Sequence, residues 1–348
     1  MKTISTQTRN VRLDILKVIC CILVIVLHSP PLCGGIVGII IRSITAIAVP
    51  SFMAVSGYLI FYLKEYTLEK YIKVVSRYVA IFLIWDTIYL VYVWIRDVKQ
   101  TEEYMSFIQF AATNSEGWHL WYLKVYIQIL LVYPIIRTIT REKKLCILYS
   151  VIWTVMIPLK YSLTAYLAID FTYLRLLQLP FFQFNGVTSG TVMGYYPTEC
   201  LGYFIFGGLM IDTLQKNVRY INKTMLCIGA VGLTTTIIEY RSSVLAVEPL
   251  QINVLFMMCG FISMIYMIKV EYIPEKVIQI ITWISDQTLG AYIIQGFMFR
   301  ISKYVIAGFI LEDYIGNICV CLLTLFLSFT FAAVIHKILP SKIYQYLM

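Results

Sequence analysis

Charged side chains are what this sequence has least of. Only 14% of its 348 residues are Asp, Glu, Lys or Arg, where a soluble domain carries about a quarter, and no stretch reads as a polar linker, a low-complexity tract or a soluble domain. An ordinary soluble globular chain is therefore excluded. Histidine is almost absent, at three residues. The nine cysteines form no C-x-x-C pair and no Cys/His cluster with metal spacing, which excludes a zinc module and a dithiol redox motif; they read as small buried hydrophobes. No half-length internal repeat is visible, which disfavours a transporter built from two related halves. What remains is apolar: 60% hydrophobic residues and a mean hydropathy of +0.79. The net charge of +9 raises the question of nucleic acid, but the basic residues sit in short stretches between apolar runs, as orientation signals do, so nucleic acid is set aside and membrane lipid is the expected surrounding.

A helical crossing needs roughly 20 mostly apolar residues. On that measure the sequence predicts an all-α, polytopic bundle of about ten spans, near 13–29, 43–62, 75–95, 118–137, 145–163, 195–212, 224–240, 249–268, 281–302 and 315–337. The stretch 164–194, broken by Arg175 and Pro180, reads as a re-entrant or interfacial segment. The basic flank and apolar run at the start resemble a signal peptide. Asp14 and Lys17 interrupt that run, and no small-residue cleavage site precedes Pro30-Pro31, so it is expected to stay attached as span one. With both termini in the cytoplasm, 18 Lys and Arg fall on the inner side and 8 on the outer, the asymmetry that the positive-inside rule demands. One membrane domain, 1–348, fills the chain.

Ionisable groups inside spans are expensive and mark function by default. Span one carries Asp14, Lys17 and His28. At 100° per residue Lys17 and His28 lie within about 20° of each other, roughly 16 Å apart along the axis. Asp14 is on the same side, close enough to pair with Lys17, and an interfacial ion pair is the plainer reading of those two. His119 opens span four inside Trp118-His119-Leu120-Trp121-Tyr122, where an aromatic belt is the ordinary reading and an enclosed histidine is not. Two of the three histidines thus end or begin a span at one membrane face. His336, beside Lys337, is expected at the inner interface. In span two, Pro50 and then Ser56-Gly57 suggest a kink or a close helix crossing. Asp86 and Glu199 are the deeper acids; Glu239 and Asp286 are expected near headgroups or loops.

Together these segments resemble the integral-membrane acyltransferase family 3, which includes bacterial O-acetyltransferases of lipopolysaccharide, capsule and peptidoglycan and the membrane domain of some serine racemases. The resemblance runs along nearly the whole chain. It rests on Asp14, Lys17 and His28 with ten residues between the last two, the Phe52 to Tyr58 segment, the basic run ending at Arg77, Trp118 to Leu123, the Leu201-Gly202-Tyr203-Phe204 to Gly207-Gly208 stretch, and Leu289-Gly290-Ala291-Tyr292. Two positions depart from the family pattern. Lys17 stands where Arg is usual, losing the planar fork, and Gln295 stands where a histidine often follows the tyrosine of span nine. The resemblance implies transfer of an acyl group, commonly acetyl, from cytoplasmic acyl-coenzyme A to a hydroxyl of a surface glycan, without metal, in a bacterial plasma membrane. On it, His28 is the expected general base or transient acyl acceptor, with His119 and Glu199 orienting it or the acceptor. Lys17, Asp14 and Arg77 would serve the donor, and Ser56 the oxyanion. The competing class is a non-enzymatic exporter of a glycan or small molecule; release of free coenzyme A distinguishes the two.

Overall fold

The computed structural model describes residues 9–63, 67–101, 107, 118–167, 197–216, 219–242, 249–307 and 314–348, and among them every regular element is helical. Most of the segment expected to be re-entrant, 164–194, lies outside the described residues, as does most of the acidic loop 97–116.

Helix α1 (Val11–His28) starts at Asn10, whose side chain accepts from the amides of Arg12 and Leu13, the usual way to satisfy donors that a first turn leaves open. It ends where Ser29 turns extended before Pro30, as a residue preceding proline must. Helices α2 (Gly35–Thr45) and α3 (Ala48–Gly57) follow, and α3 runs into a π-helical turn, Tyr58–Leu63. The crossing expected at 43–62 is thus longer, Gly35–Tyr62. Its irregularity falls at Ala46-Ile47, not at Pro50, because Pro50 sits in the first turn of α3, where its missing N–H leaves no gap in the ladder.

Helix α4 (Leu68–Thr101) is long and straight in sequence terms, without an internal proline. Span four was expected as one helix over 118–137. Instead a single 3-10 turn, Trp118–Leu120, leads into α5 (Trp121–Leu131), which breaks against α6 (Tyr133–Arg141) at a 73° bend. Pro134 in the first turn of α6 is the cause, since it can neither donate to the preceding turn nor fit beside it. Helix α7 (Lys143–Thr154) continues through a π-helical stretch containing Pro158 into α8 (Lys160–Leu167). Helices α9 (Pro197–Gln215), α10 (Arg219–Ser242), α11 (Ile252–Tyr266), α12 (Glu275–Ala307), α13 (Tyr314–Ile338) and the short α14 (Ser341–Leu347) complete the described chain.

Among the described residues, four helices are by length and composition able to cross a membrane, Gly35–Tyr62, Leu68–Arg96, Lys143–Leu163 and Tyr314–Ile338, or five if the bent pair α5–α6 is one crossing. Length and composition alone therefore mark four or five crossings where ten were expected. Three of the missing crossings have a physical source: α1 holds Arg12, Asp14 and Lys17, α11 is only 15 residues long, and α12 buries Gln287, Thr288 and Gln295. Outside, Leu83, Leu148, Val151, Ile152, Leu322 and Phe326 are exposed. Water would not tolerate such a belt on a monomer, and lipid does.

The interior is organised around α1, α3 and α9. Leu16, Ala54, Tyr203, Phe204 and Ile205 are buried completely. Small residues let α3 and α9 touch backbone to backbone: a Cβ at Gly57 would fall 1.9 Å from the Phe204 carbonyl oxygen, and one at Gly207 2.3 Å from the Ala54 Cβ. This is close helix crossing through small residues. Gly57→Ala is accordingly expected to destabilise the fold by about 2 kcal/mol, read as a lower thermal midpoint of the solubilised protein; an unchanged midpoint would show that α3 and α9 part without cost.

Helix α12 runs beside α1 in the same direction. Near the start of α1, Asp14 meets Ser285; a few turns on, the Cys21 thiol faces the Thr288 carbonyl at 3.5 Å; at its end His28 and Gln295 line one cavity. Parallel packing of these two is what a layout with an even number of crossings between their starts requires.

Candidate active site

Two of the cavities along α1 hold its ionisable residues. The first, about 610 Å³, is lined by Arg9, Arg12, Asp14 and Lys17 from the start of α1, by Tyr58 and Leu59, and by Gln215 and Val270. It is a cationic mouth. Arg12 is aimed by two hydrogen bonds to the Ile268 carbonyl, at 3.1 and 3.0 Å. Lys17 donates to Asp14 at 3.3 Å and keeps 26% of its side chain exposed.

The Asp14–Lys17 pairing expected from the helical spacing is present, yet Lys17 is not the main partner. Asp14 is buried, and it accepts from Arg9 at 2.6 and 3.2 Å and from the Ser285 hydroxyl at 2.7 Å. Arg9 in turn reaches Asp286 at 2.7 Å and the Thr282 carbonyl. The hydrogen bond to Asp14, reinforced by Asp286, raises the Arg9 pKa still further above its ordinary value, so its charge is permanent. Asp14 is thus fully engaged in tying α1 to α12, and Asp286, expected at a loop, belongs to the same knot.

The second cavity, about 240 Å³, is lined by Ile25, His28, Tyr89, His119, Gln295, Gly296, Phe299, Arg300 and Thr324. It gathers His28 and His119, which stand 91 positions apart in the sequence. His119 is buried, and its Nε2 lies 3.1 Å from the Ile293 carbonyl, a contact that puts the ring proton on Nε2 and the lone pair on Nδ1. Tyr89 donates to the same carbonyl at 2.9 Å and meets the His119 ring edge-on at 4.7 Å. Tyr292 donates to the His119 carbonyl oxygen. Gly296 makes room for this arrangement, since a Cβ there would lie 2.9 Å from the His119 ring and 3.0 Å from the Tyr89 hydroxyl. Arg300 lies over the Tyr92 ring at 4.8 Å.

Other expected site residues fall elsewhere. Glu199 accepts from the Tyr161 hydroxyl at 2.9 Å, and its carbonyl accepts from Trp153 at 2.7 Å; it does not line the histidine cavity. Ser56 is 2.7 Å from the Tyr122 hydroxyl, and Tyr122 packs against Tyr292 at 6.0 Å, so an aromatic layer stands between Ser56 and His119. Arg77 does not line the cationic mouth: its guanidinium donates to the carbonyls of Gln345 at 2.6 Å and Met348 at 3.2 Å, holding α14 against α4. Asp86 faces Lys124 of α5 and is outside both cavities. Glu239 is buried and accepts from Gln251 and Asn253, both at 2.8 Å, a contact of α10 with the start of α11 and not a headgroup position. His336 stacks on Tyr344 at 4.3 Å and contacts Gln287 at 3.0 Å.

Arg9, Ser285, Tyr89 and Arg300 are the residues of these two sites that local sequence does not single out. Arg300 had a faint signal, as an arginine on the apolar part of a long helix.

Fold and cavities describe a helical membrane protein with a cation-lined mouth at one end of its first helix and a paired-imidazole chamber at the other. The acyltransferase 3 family model, described as an acyltransferase domain, matches residues 10–337, nearly the whole chain. The chain belongs to that family, and it is a membrane acyltransferase. No curated protein and no solved structure gives a significant match. Membership supports the transferase over the exporter that the sequence also allowed.

Proposed function

We propose that this chain moves an acyl group, acetyl foremost, from acyl-coenzyme A in the cytoplasm to a hydroxyl of a cell-surface glycan. It does so as a ten-span protein of a bacterial plasma membrane with both termini inside. The observation that carries this reading is that α1 borders a cation-lined cavity at Lys17 and an imidazole-lined one at His28. Phosphates of the donor suit the Arg9, Arg12 and Lys17 mouth, where the positive-inside count also puts the cytoplasm. The acceptor enters the histidine chamber from the other face.

The chemistry asks little more than these groups. The acceptor hydroxyl oxygen attacks the thioester carbonyl carbon while His28 takes its proton, and the carbonyl electron pair moves onto oxygen. Collapse of that oxyanion re-forms the C=O bond and breaks C–S. The thiolate leaves with the proton returned by His28, so the products are a glycan ester and free coenzyme A. His119, held by the Ile293 carbonyl, orients the acceptor. Aromatic side chains around it, Tyr89 with Phe297 stacked at 4.2 Å, suit the apolar face of a sugar ring. Cys21 and Val24 are buried on the stripe between Lys17 and His28, and the two cavities share no lining residue. The donor arm therefore parts that packing when it binds.

Membranes containing the chain, given radiolabelled acetyl-coenzyme A, are expected to release free coenzyme A and to carry label in the glycan fraction. Thiol release without glycan label would remove the acceptor class, and neither signal would remove the reaction. Lys17→Ala is expected to raise the KM for acetyl-coenzyme A roughly fivefold, the equivalent of about 1 kcal/mol for one partly exposed ion pair. Lys17→Arg should leave it nearly unchanged, because a point charge is what the site uses there. A KM that ignores both substitutions would put the donor elsewhere.

A further inference from the structure

Ser56 cannot serve the oxyanion from where it lies, bonded to Tyr122 outside the histidine chamber. The reaction still needs donors aimed at the developing negative charge, and the chamber contains two buried N–H donor atoms that no hydrogen bond among the described residues uses. Gln295 is 3% exposed, its amide stands beside the His28 imidazole, and its Nε2 makes no hydrogen bond among the described residues. Arg300, five residues on along α12, buries Nη1, again without a hydrogen-bond partner among the described residues, while Tyr92 holds the guanidinium from one side. Both residues line the cavity that holds His28 and His119.

Leaving a buried amide unbonded costs about 1–3 kcal/mol, and a cation at membrane depth costs more. A stable fold keeps such groups open where the missing partner arrives with the substrate. The partner has to be an acceptor of hydrogen bonds and, facing a permanent cation, one that gains negative charge. In this chamber the thioester carbonyl oxygen is that group. It is neutral on arrival and anionic when the tetrahedral intermediate forms.

Resting on acyl transfer at His28, we propose that Gln295 Nε2 and Arg300 Nη1 form the oxyanion site of this enzyme. As the acceptor oxygen bonds to the thioester carbon and its proton passes to His28, the electron pair displaced from the C=O bond collects on the oxygen between the two donors. Collapse returns it, the C–S bond breaks, and the donors are again unoccupied. The amide at position 295 therefore does donor work that needs no proton transfer, which explains how glutamine stands there at no cost to the reaction. A guanidinium adds a charge that never dissociates. Preorganised donors of this kind act in transition-state stabilisation and little in ground-state binding.

The test compares Gln295→Leu, Arg300→Met, Gln295→His and Arg300→Lys in the full chain, with acetyl-coenzyme A as donor and an envelope glycan extract as titrated acceptor. The two apolar variants are expected to lower kcat by about 10²-fold each and to leave the KM for acetyl-coenzyme A within about twofold. The two conservative variants restore a donor and should recover at least about tenfold of that loss. A kcat unchanged in either apolar variant overturns the proposal. So does a raised acceptor KM with kcat intact, which would make Arg300 a binding site for an acidic sugar, and so does failure of both conservative variants to recover activity. Elution and thermal midpoint of each solubilised variant, matched to the parent, exclude misfolding as the source of a loss. His28→Ala run alongside separates the two levels: activity in that variant sinks the acyl-transfer reading itself, whereas an inactive His28→Ala beside active Gln295→Leu and Arg300→Met sinks only the oxyanion site.

Discussion

His28→Ala is expected to cut acetyl transfer by about 10³-fold or more, with membrane insertion, thermal midpoint and acetyl-coenzyme A binding preserved. Preservation is expected from the position of the residue: His28 is the last residue of α1, it keeps accessible surface, and it borders an internal cavity instead of the packed centre formed by Leu16 and Val24. Its loss therefore enlarges a space that already exists. A base in the transfer step is then missing, and the donor mouth at Lys17 is untouched. Retained turnover in His28→Ala would remove this imidazole from the reaction. A parallel loss of acetyl-coenzyme A binding would instead make His28 a binding residue.

The second large effect is on folding. Asp14→Ala should destabilise the protein by about 3 kcal/mol, the lower end for breaking a buried ion pair. The carboxylate is 2% exposed, while its partners Arg9 and Lys17 retain 43% and 26% of their side-chain exposure, so solvent recovers part of what they lose. What is lost outright is the bridge from α1 to Ser285 on α12. The KM for acetyl-coenzyme A in the surviving folded fraction should change little, because the Asp14 oxygens are taken up by Arg9, Lys17 and Ser285. A variant as stable as the parent but poor in donor binding would reverse that assignment and return Asp14 to the substrate. The buried arrangement also predicts that Ser285→Ala, which removes one uncharged donor, costs about 1 kcal/mol, measurable in the same unfolding series.

Much of the site was legible because it lies along one helix. The 100° step puts Lys17 and His28 on one stripe of α1 from sequence alone, and both do open onto cavities. They open onto two cavities, however, and the buried Cys21 and Val24 between them follow from what packs against α1. His119 was legible as an odd residue in an aromatic belt, and its meeting with His28 as a pair on one face. Glu199 and Ser56 were plausible by depth and chemistry, and they are occupied by Tyr161 and Tyr122 instead. Gln295 was visible only as a departure from a family pattern, and Arg300 only as one more charge in a count of loops. The ladder that aims His119 at Ile293 spans 174 positions, and the bond from Ser285 to Asp14 spans 271. No local period carries information over such separations.

Composition and hydropathy by themselves determined that this chain lives in lipid, that it is helical, and that polar residues inside its apolar runs need an interior. Those conclusions depend on the cost of exposing polar groups to hydrocarbon, which each residue brings with it wherever it sits. Tertiary structure alone decided which polar residues share a chamber and which are consumed in holding helices together. A helix's own period sets the direction of a side chain about its axis. The neighbour that side chain meets is set by the packing of all the other helices, through close approaches such as Gly57 on Phe204 that only the folded chain defines.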